Sequence, residues 1–279
     1  MIRLFVSDLD NTLLNHEKRV TEADQAALRT LEREGVILCL ASGRMDKELT
    51  RIAGEIGINA HRISQNGAFL YTTENEKLSS AVFPGELARQ LYQEALPFGL
   101  SCFINQENDM LVKAKTPEIR AIEQRMKMPV KEDPHVPEQI GHSILPSKLC
   151  FFGDLETIKK LEQHINTKYR GQLDTFISDK DCIDFMPYGI SKGAAIEKLI
   201  DRLGLKAEEV ACIGDSFNDI SMLRMTPHSF AMAGADPAVQ KEAAHIVHSV
   251  AEAARWVLDF NRNRQATESG LDEERMQKG

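Results

Sequence analysis

Three short polar clusters stand out because each combines groups that can do chemistry together: Asp8-Leu9-Asp10-Asn11-Thr12, Ser42-Gly43-Arg44, and Gly214-Asp215-Ser216-Phe217-Asn218-Asp219. A carboxylate can act as a nucleophile, forming an acyl-phosphate that splits one difficult displacement into two easier ones. A second carboxylate two residues away can protonate a leaving alkoxide and later deprotonate water. Several carboxylates converging on one point repel one another unless a cation sits between them. Oxygen ligands with no accompanying His or Cys cluster favour magnesium, which commonly shares its coordination with a substrate phosphate. Lys192 could add fixed positive charge, and the Ser42 hydroxyl with nearby backbone N–H groups could hold a phosphoryl group.

Such residues act together only if the fold brings them together. Residues 2–6 form a short apolar run that ends at Asp8, as a buried parallel strand would. A helix is predicted over 21–34, capped by Thr21 and stopped by Gly35, followed by a strand over 36–41 that runs into Ser42. A second helix over 46–56 and a strand over 61–64 continue the alternation of a parallel α/β sheet. Residues 84–187 read differently, with hairpin-like strand pairs and three helices, so they are expected to form an inserted α+β domain. The α/β pattern resumes at 188, with a helix over 191–203 and a strand over 209–213 entering Gly214-Asp215, and continues to about residue 260. Open α/β sheets bind ligands at the carboxyl ends of their strands, which would gather all three clusters at one edge. Residues 261–279 are polar, charged and poor in large apolar groups, and read as a frayed, disordered tail.

Composition limits the function classes. With 34 basic and 42 acidic residues the chain has a formal net charge of −8, unlike a general nucleic-acid binder. An acidic protein can still hold a locally positive pocket for an anionic substrate. The five cysteines are scattered without a C-x-x-C pair, which fits buried free thiols in a reducing compartment. No run approaches the ~20 apolar residues of a membrane span, and no signal peptide is evident, so a cytoplasmic location is expected. His245 and His248 lack further ligands at zinc-like spacing and read as packing or surface residues.

In the order and spacing of these motifs the chain resembles the haloacid dehalogenase superfamily, in particular the Cof-type phosphatases with an inserted α+β cap of the C2B type. The first family motif, D-x-D-x-T, corresponds to Asp8, Asp10 and Thr12, and the second to Ser42-Gly43-Arg44. An Asn-Gly-Ala signature corresponds to Asn66-Gly67-Ala68, the third-motif lysine to Lys192, and G-D-x-x-N-D to Gly214, Asp215, Asn218 and Asp219. The resemblance implies a Rossmann-like core (1–83 and 188–260) with a cap at 84–187. It implies Asp8 as nucleophile and Asp10 as acid/base. Magnesium would be held by Asp8, the Asp10 backbone carbonyl and Asp215, with Asp219 in support. Phosphate would be held by the Leu9 backbone N–H, Ser42, Gly43, Lys192 and Asn218, with Arg44, Asn66 and Gly67 as further substrate contacts. The family usually has glycine where Asn11 stands, and asparagine is among the few residues that tolerate left-handed backbone.

The expected function is therefore a magnesium-dependent phosphatase acting on a small phosphorylated metabolite through an aspartyl-phosphate. It would have no nucleic-acid or membrane partner and would be a monomer or weak homo-oligomer. A phosphomutase or phosphotransferase of the same architecture is the competing enzyme. A non-catalytic phosphoester-binding regulator is the competing class, although it predicts a broken catalytic set and here no acid, lysine or hydroxyl is missing.

Overall fold

The computed structural model describes residues 1–126 and 129–277, with backbone alone from 267 onward. The chain opens with β1 (Leu4–Ser7), every residue of which is buried. Helix α1 (Glu22–Arg33) follows; Thr21 caps it by accepting the Asp24 N–H, and Glu22 and Asp24 put negative charge at its positive end. Then come β2 (Ile37–Ala41), α2 (Asp46–Ile56) and β3 (Ala60–Ser64), each strand parallel to the one before it. Two antiparallel strands, β4 (Phe69–Tyr71) and β5 (Lys77–Ser80), extend that edge of the sheet.

The chain then leaves for a second sheet. Helix α3 (Gly85–Ala95) precedes β6 (Ser101–Asn105), β7 (Met110–Val112), α4 (Pro117–Met126), β8 (Lys131–Glu132) and the short α5 (Val136–Gln139). Next are β9 (Lys148–Phe152), α6 (Leu155–Lys168), β10 (Leu173–Asp179) and β11 (Cys182–Pro187). The strand order is β10-β11-β9-β6-β7-β8, antiparallel except for the β7–β8 pair. Side chains alternate across a strand, so this sheet has two distinct faces. Leu149, Phe151, Ile183 and Phe185 point to one face and pack against Leu87 and Leu91 of α3 and Ile158, Leu161 and Ile165 of α6. Cys150, Phe152 and Cys182 point the other way and cluster with Phe103, Val112 and Met45, the last from the core unit.

The return passes through α7 (Lys192–Leu203), β12 (Val210–Gly214), α8 (Ile220–Leu223), β13 (His228–Met232), α9 (Pro237–Gln240), β14 (His245–Val247) and α10 (Val250–Gln277). The first sheet is completed in the order β14-β13-β12-β1-β2-β3-β4-β5. Residues of α1, α2 and α10 cover one of its faces, and α7 covers the other. The result is an α/β core with a parallel central sheet. From β1 the chain winds outward through β2 and β3, then returns to lay β12 against the opposite side of β1. That reversal makes a topological switch point at the carboxyl ends of β1 and β12, the expected ligand position for this architecture.

Two features depart from the sequence reading. The hairpin strands β4 and β5 were not anticipated: β5 is a four-residue run with two serines and no alternating apolar pattern. The expected disordered tail is helical from 261 to Gln277, while residues 278 and 279 lie outside the described residues. Val250, Ala253, Ala254 and Val257 anchor the start of α10 in the core. Asn261 then clamps it to the first strand region, accepting the Ile2 N–H at 2.7 Å and donating to the Ile2 carbonyl at 2.8 Å. Beyond that clamp the sequence carries Arg, Glu and Gln, residues of good helix propensity that favour continuation of the backbone turn. Replacing Asn261 with Ala removes both bonds and is expected to lower the unfolding free energy by about 1–2 kcal/mol. A urea midpoint identical to that of the parent protein would show that the clamp contributes nothing.

Candidate active site

Every motif residue singled out in the sequence lies at the carboxyl edge of the core sheet or on the helix facing it. Asp8 follows β1, and its N–H donates to the Ile213 carbonyl on β12 at 2.9 Å, which locks the two central strand ends together. Asn11 has φ of 58°, the left-handed conformation that its substitution for glycine requires. Leu9 turns its side chain into the core, leaving its backbone between the two aspartates. Ser42, Gly43 and Arg44 follow β2, and the Ser42 hydroxyl accepts the Arg44 N–H at 3.2 Å.

Lys192 is the centre of charge. It is fully buried at the first position of α7, and its Nζ lies 2.6 Å from Asp8 Oδ1 and 2.6 Å from Asp219 Oδ1. Asp219 in turn accepts the backbone N–H groups of Asp215 and Ser216, both at 3.0 Å, through its other oxygen. This fold of the loop requires glycine at 214, because a Cβ there would stand 2.5 Å from Asp219 Cγ. Thr12 donates its hydroxyl to Asp215 at 3.0 Å, tying the first motif to the last. Burial pushes Asp8 well above the usual carboxylate range, opposed by Lys192 and reinforced by Asp219 and Asp215. Burial and the charge of Asp219 push Asp215 up to about 6. Burial works against the Lys192 ammonium, but the two carboxylates outweigh it and hold its proton more tightly than usual.

Carboxylate oxygens of Asp8, Asp215 and Asp219 lie within 4.8 Å of one another. Three acids against one lysine leave an excess of negative charge in a buried place, and the donors are all hard oxygens. The residues present therefore fit a divalent cation. Asp219 already spends both oxygens on Lys192 and the loop, which suits a supporting role better than direct ligation.

Asp10 lies outside that group. Its carboxylate is gripped by Arg44 at 2.7 and 2.8 Å and by Lys18 Nζ at 2.7 Å, and Arg44 also reaches Glu48 at 2.6 Å. Burial alone would raise its pKa, but the bonds and charges of Arg44 and Lys18 bring it down to about 2. In this arrangement Asp10 is a carboxylate, the form that accepts a proton.

Residues after β3 connect the loop after β2 to the second sheet. Gln65, Asn66 and Gly67 have successive φ values of 49°, 58° and 107°, a concentration of left-handed backbone that marks a constrained turn. Asn66 N–H donates to the Ser42 carbonyl at 2.9 Å and Gln65 N–H to the Arg44 carbonyl at 2.9 Å. Gly67 passes so close to α7 that a Cβ would meet the Ser191 carbonyl at 2.3 Å. The Asn66 side chain accepts from Asn218 Nδ2 at 3.1 Å and donates to Asp184 of β11 at 3.2 Å. The Asn218 amide N–H assigned to phosphate by the resemblance is thus directed at Asn66 here.

Sequence reasoning did not identify Lys18, Glu48, Lys148 or Asp184. The first two are ordinary surface-type charges until the loops fold. The last two interrupt strand positions whose face is decided only by register and by how the second unit docks. His245 stacks on Phe230 at 5.1 Å and tilts against Trp256 at 4.8 Å, in keeping with a packing role. All five cysteines are free.

Comparison with known proteins places this geometry. Residues 5–255 match the family model of the haloacid dehalogenase-like hydrolases. An HMP-PP phosphatase from Klebsiella pneumoniae (strain 342) is 27% identical over 251 residues, covering 88% of this chain and 89% of the relative. A haloacid dehalogenase-like hydrolase from Bacteroides thetaiotaomicron superposes with a TM-score of 0.81 at 26% identity, covering 92% of this chain and all of that one (100%). A subclass IIB sugar phosphatase shares the fold with a TM-score of 0.78 at 21% identity, over 93% and 99% of the two chains. With the family model spanning the core and the unit inserted in it, and with phosphatases among its relatives, the chain belongs to the haloacid dehalogenase-like hydrolases as a Cof-type phosphatase.

Proposed function

We propose that this phosphatase is magnesium-dependent and hydrolyses the phosphate monoester of a small metabolite through an aspartyl-phosphate on Asp8. The observation that carries the proposal is the burial of Asp8 beside Lys192 and the Asp215–Asp219 pair at the switch point of the sheet. Asp8 and Asp215 would hold the ion with the Asp10 backbone carbonyl, and Asp219 would brace Lys192 and the loop. When bound, magnesium supplies positive charge against the phosphoryl oxygens and the clustered carboxylates.

In the first half-reaction an Asp8 oxygen forms a bond to phosphorus while the bond from phosphorus to the leaving oxygen breaks. Lys192 keeps the Asp8 carboxylate oriented. To protonate the leaving alkoxide Asp10 would first take a proton from solvent water, which its bonds to Arg44 and Lys18 oppose in the present arrangement. Transfer of the Arg44 guanidinium from Asp10 to the substrate phosphate would release it. In the second half-reaction Asp10 takes a proton from water, the water oxygen bonds to phosphorus, and the bond to Asp8 breaks to free inorganic phosphate. The Leu9 N–H, Ser42, Gly43 and Asn218 would hold the non-bridging oxygens, with Asn218 turning its amide from Asn66. Residues 84–187 would act as the cap, excluding bulk water during transfer. The free cysteines fit action in a reducing cytoplasm.

An Asp8→Asn variant should keep the fold and lose at least about a thousandfold in kcat on any phosphate monoester, since the nucleophile is gone. Full magnesium-dependent phosphate release by that variant would overturn the mechanism. The buried acids also set a pH signature. Asp215, ordinarily at 3.8, titrates at about 6 in the fold, so without a cation the folded protein keeps a proton that the unfolded chain releases. Stability from this group is therefore present at low pH and lost as pH rises through about 6. A cation displaces that proton, so magnesium should raise the thermal midpoint more at about pH 7.5 than at about pH 5. Equal shifts at both would contradict a site built on these carboxylates. Finally, Lys192→Met leaves Asp8 and Asp219 buried without their cation and should cost about 3–5 kcal/mol of unfolding free energy in chelator. Urea unfolding that matches the parent protein would mean the lysine does not balance those charges.

A further inference from the structure

Arg44 is shared by two carboxylates on different elements. Its Nε and Nη2 donate to Asp10 at 2.7 and 2.8 Å, and its Nη1 donates to Oε1 of Glu48, in the first turn of α2, at 2.6 Å. A solvated Arg–Glu pair four positions apart is worth little and calls for no explanation. This pair is not solvated: the two side chains are only 17% and 12% exposed. The second oxygen, Glu48 Oε2, is buried and has no hydrogen-bond partner among the described residues. A buried carboxylate oxygen left unpaired is costly, and native folds keep few of them.

The donor side has the matching surplus. A guanidinium carries five N–H groups, and the bonds to Asp10 and Glu48 use only part of that set. Nη1 and Nη2 form one prong pair, and a carboxylate can take both prongs at once. Here Nη1 is on Glu48, Nη2 is on Asp10, and the other Glu48 oxygen is open. The guanidinium therefore has two seats, one filled and one half filled. The backbone at each end is fixed, so exchange between them is a matter of side-chain rotation. The Arg44 N–H donates to the Ser42 hydroxyl at 3.2 Å and its carbonyl accepts the Gln65 N–H at 2.9 Å. Met45, the next residue, is buried among Phe103, Cys150 and Phe152 of the second sheet. Glu48 stands on a helix held in the core by its neighbour Leu49 and by Ile52.

We propose that Glu48 is the positioning residue for Arg44. It keeps Nη1 while the guanidinium turns from Asp10 toward the substrate phosphate, and Oε2 receives the Nη2 N–H that Asp10 gives up. No N–H of the buried guanidinium is then stranded during the exchange, and the arginine returns to the same place after each turnover. Glu48 touches neither substrate nor metal in this role and acts only through Arg44.

The inference rests on the phosphatase reading above, and its test separates the two. Glu48→Gln is nearly isosteric and keeps one carbonyl oxygen for Nη1, but its amide nitrogen cannot accept, so only the second seat is lost. With p-nitrophenyl phosphate and magnesium, E48Q is expected to lower kcat about 30-fold and to leave KM within about twofold. In an Arg44→Met background the same substitution should lower kcat no further, because there is no guanidinium left to position. A kcat for E48Q within about threefold of the parent, whatever happens to KM, would overturn the proposal. A further fall on adding E48Q to R44M would do the same. The second readout needs no turnover. In 1H–15N spectra the Arg44 Nε–H signal, assigned by its loss in R44M, should move in the parent as inorganic phosphate is titrated in with magnesium. It should stay at its starting position in E48Q. A signal that behaves alike in the two proteins would overturn the assignment of Glu48. If the parent releases no nitrophenolate, it is the phosphatase reading that fails on this ester, and the Arg44 signal still decides the role of Glu48.

Discussion

The buried ammonium of Lys192 is the constraint on which the rest of this structure depends. With no exposure to water, it remains charged only because Asp8 and Asp219 accept from it at 2.6 Å each. Neither carboxylate could be buried there alone at acceptable cost, and adding Asp215 makes the balance incomplete again. The surrounding loops satisfy that requirement in detail. Gly214 lacks a Cβ so that Asp219 can turn back, Asp219 takes two backbone N–H groups, and Thr12 restrains Asp215. A site whose own residues leave residual negative charge is prepared for a cation and, through it, for the oxygens of a phosphate.

Around this centre the fold separates tasks by layer. The parallel strands deliver the charged loops, and reversal of winding at β1 leaves room above them. Asp10 belongs to an outer tier, partly exposed and held by Arg44 and Lys18. The turn at residues 65–67 forms a third tier. It hangs on the loop after β2 by two backbone bonds and reaches the second sheet through Gln65, which accepts the Ser147 hydroxyl at 2.6 Å, and through Asn66.

Much of the core was legible because its signals are local. The helix over 46–56 and the strand ends at Asp8, Ser42 and Gly214 follow from apolar runs closed by polar turns, and parallel topology then gathers those ends without further information. The β4–β5 hairpin was hidden, since its second strand has neither apolar alternation nor a strong turn pair. The helix beyond residue 260 was misread because polarity was taken for disorder, whereas Asn261 pins the segment through contacts to Ile2, 259 positions away. Lys148 and Asp184 were illegible for a similar reason. Their strands were foreseen, but which face meets the core depends on docking two units, and the bonds to Gly43 and Asn66 span 105 and 118 positions.

The chain leaves the second sheet through β11 and enters α7 almost at once: Asp184 and Lys192 are separated by only eight positions. Gly67 presses against Ser191 within that stretch, so there is little slack to absorb an insertion. The loop at 106–109 is constrained too, since Gln65 donates to the Gln106 carbonyl at 2.8 Å and Lys77 to Glu107 at 2.8 Å. Helices α3 and α6 pack on the other face of that sheet and are freer to vary, whereas descendants of such a protein would be expected to inherit the span from 184 to 192 at constant length.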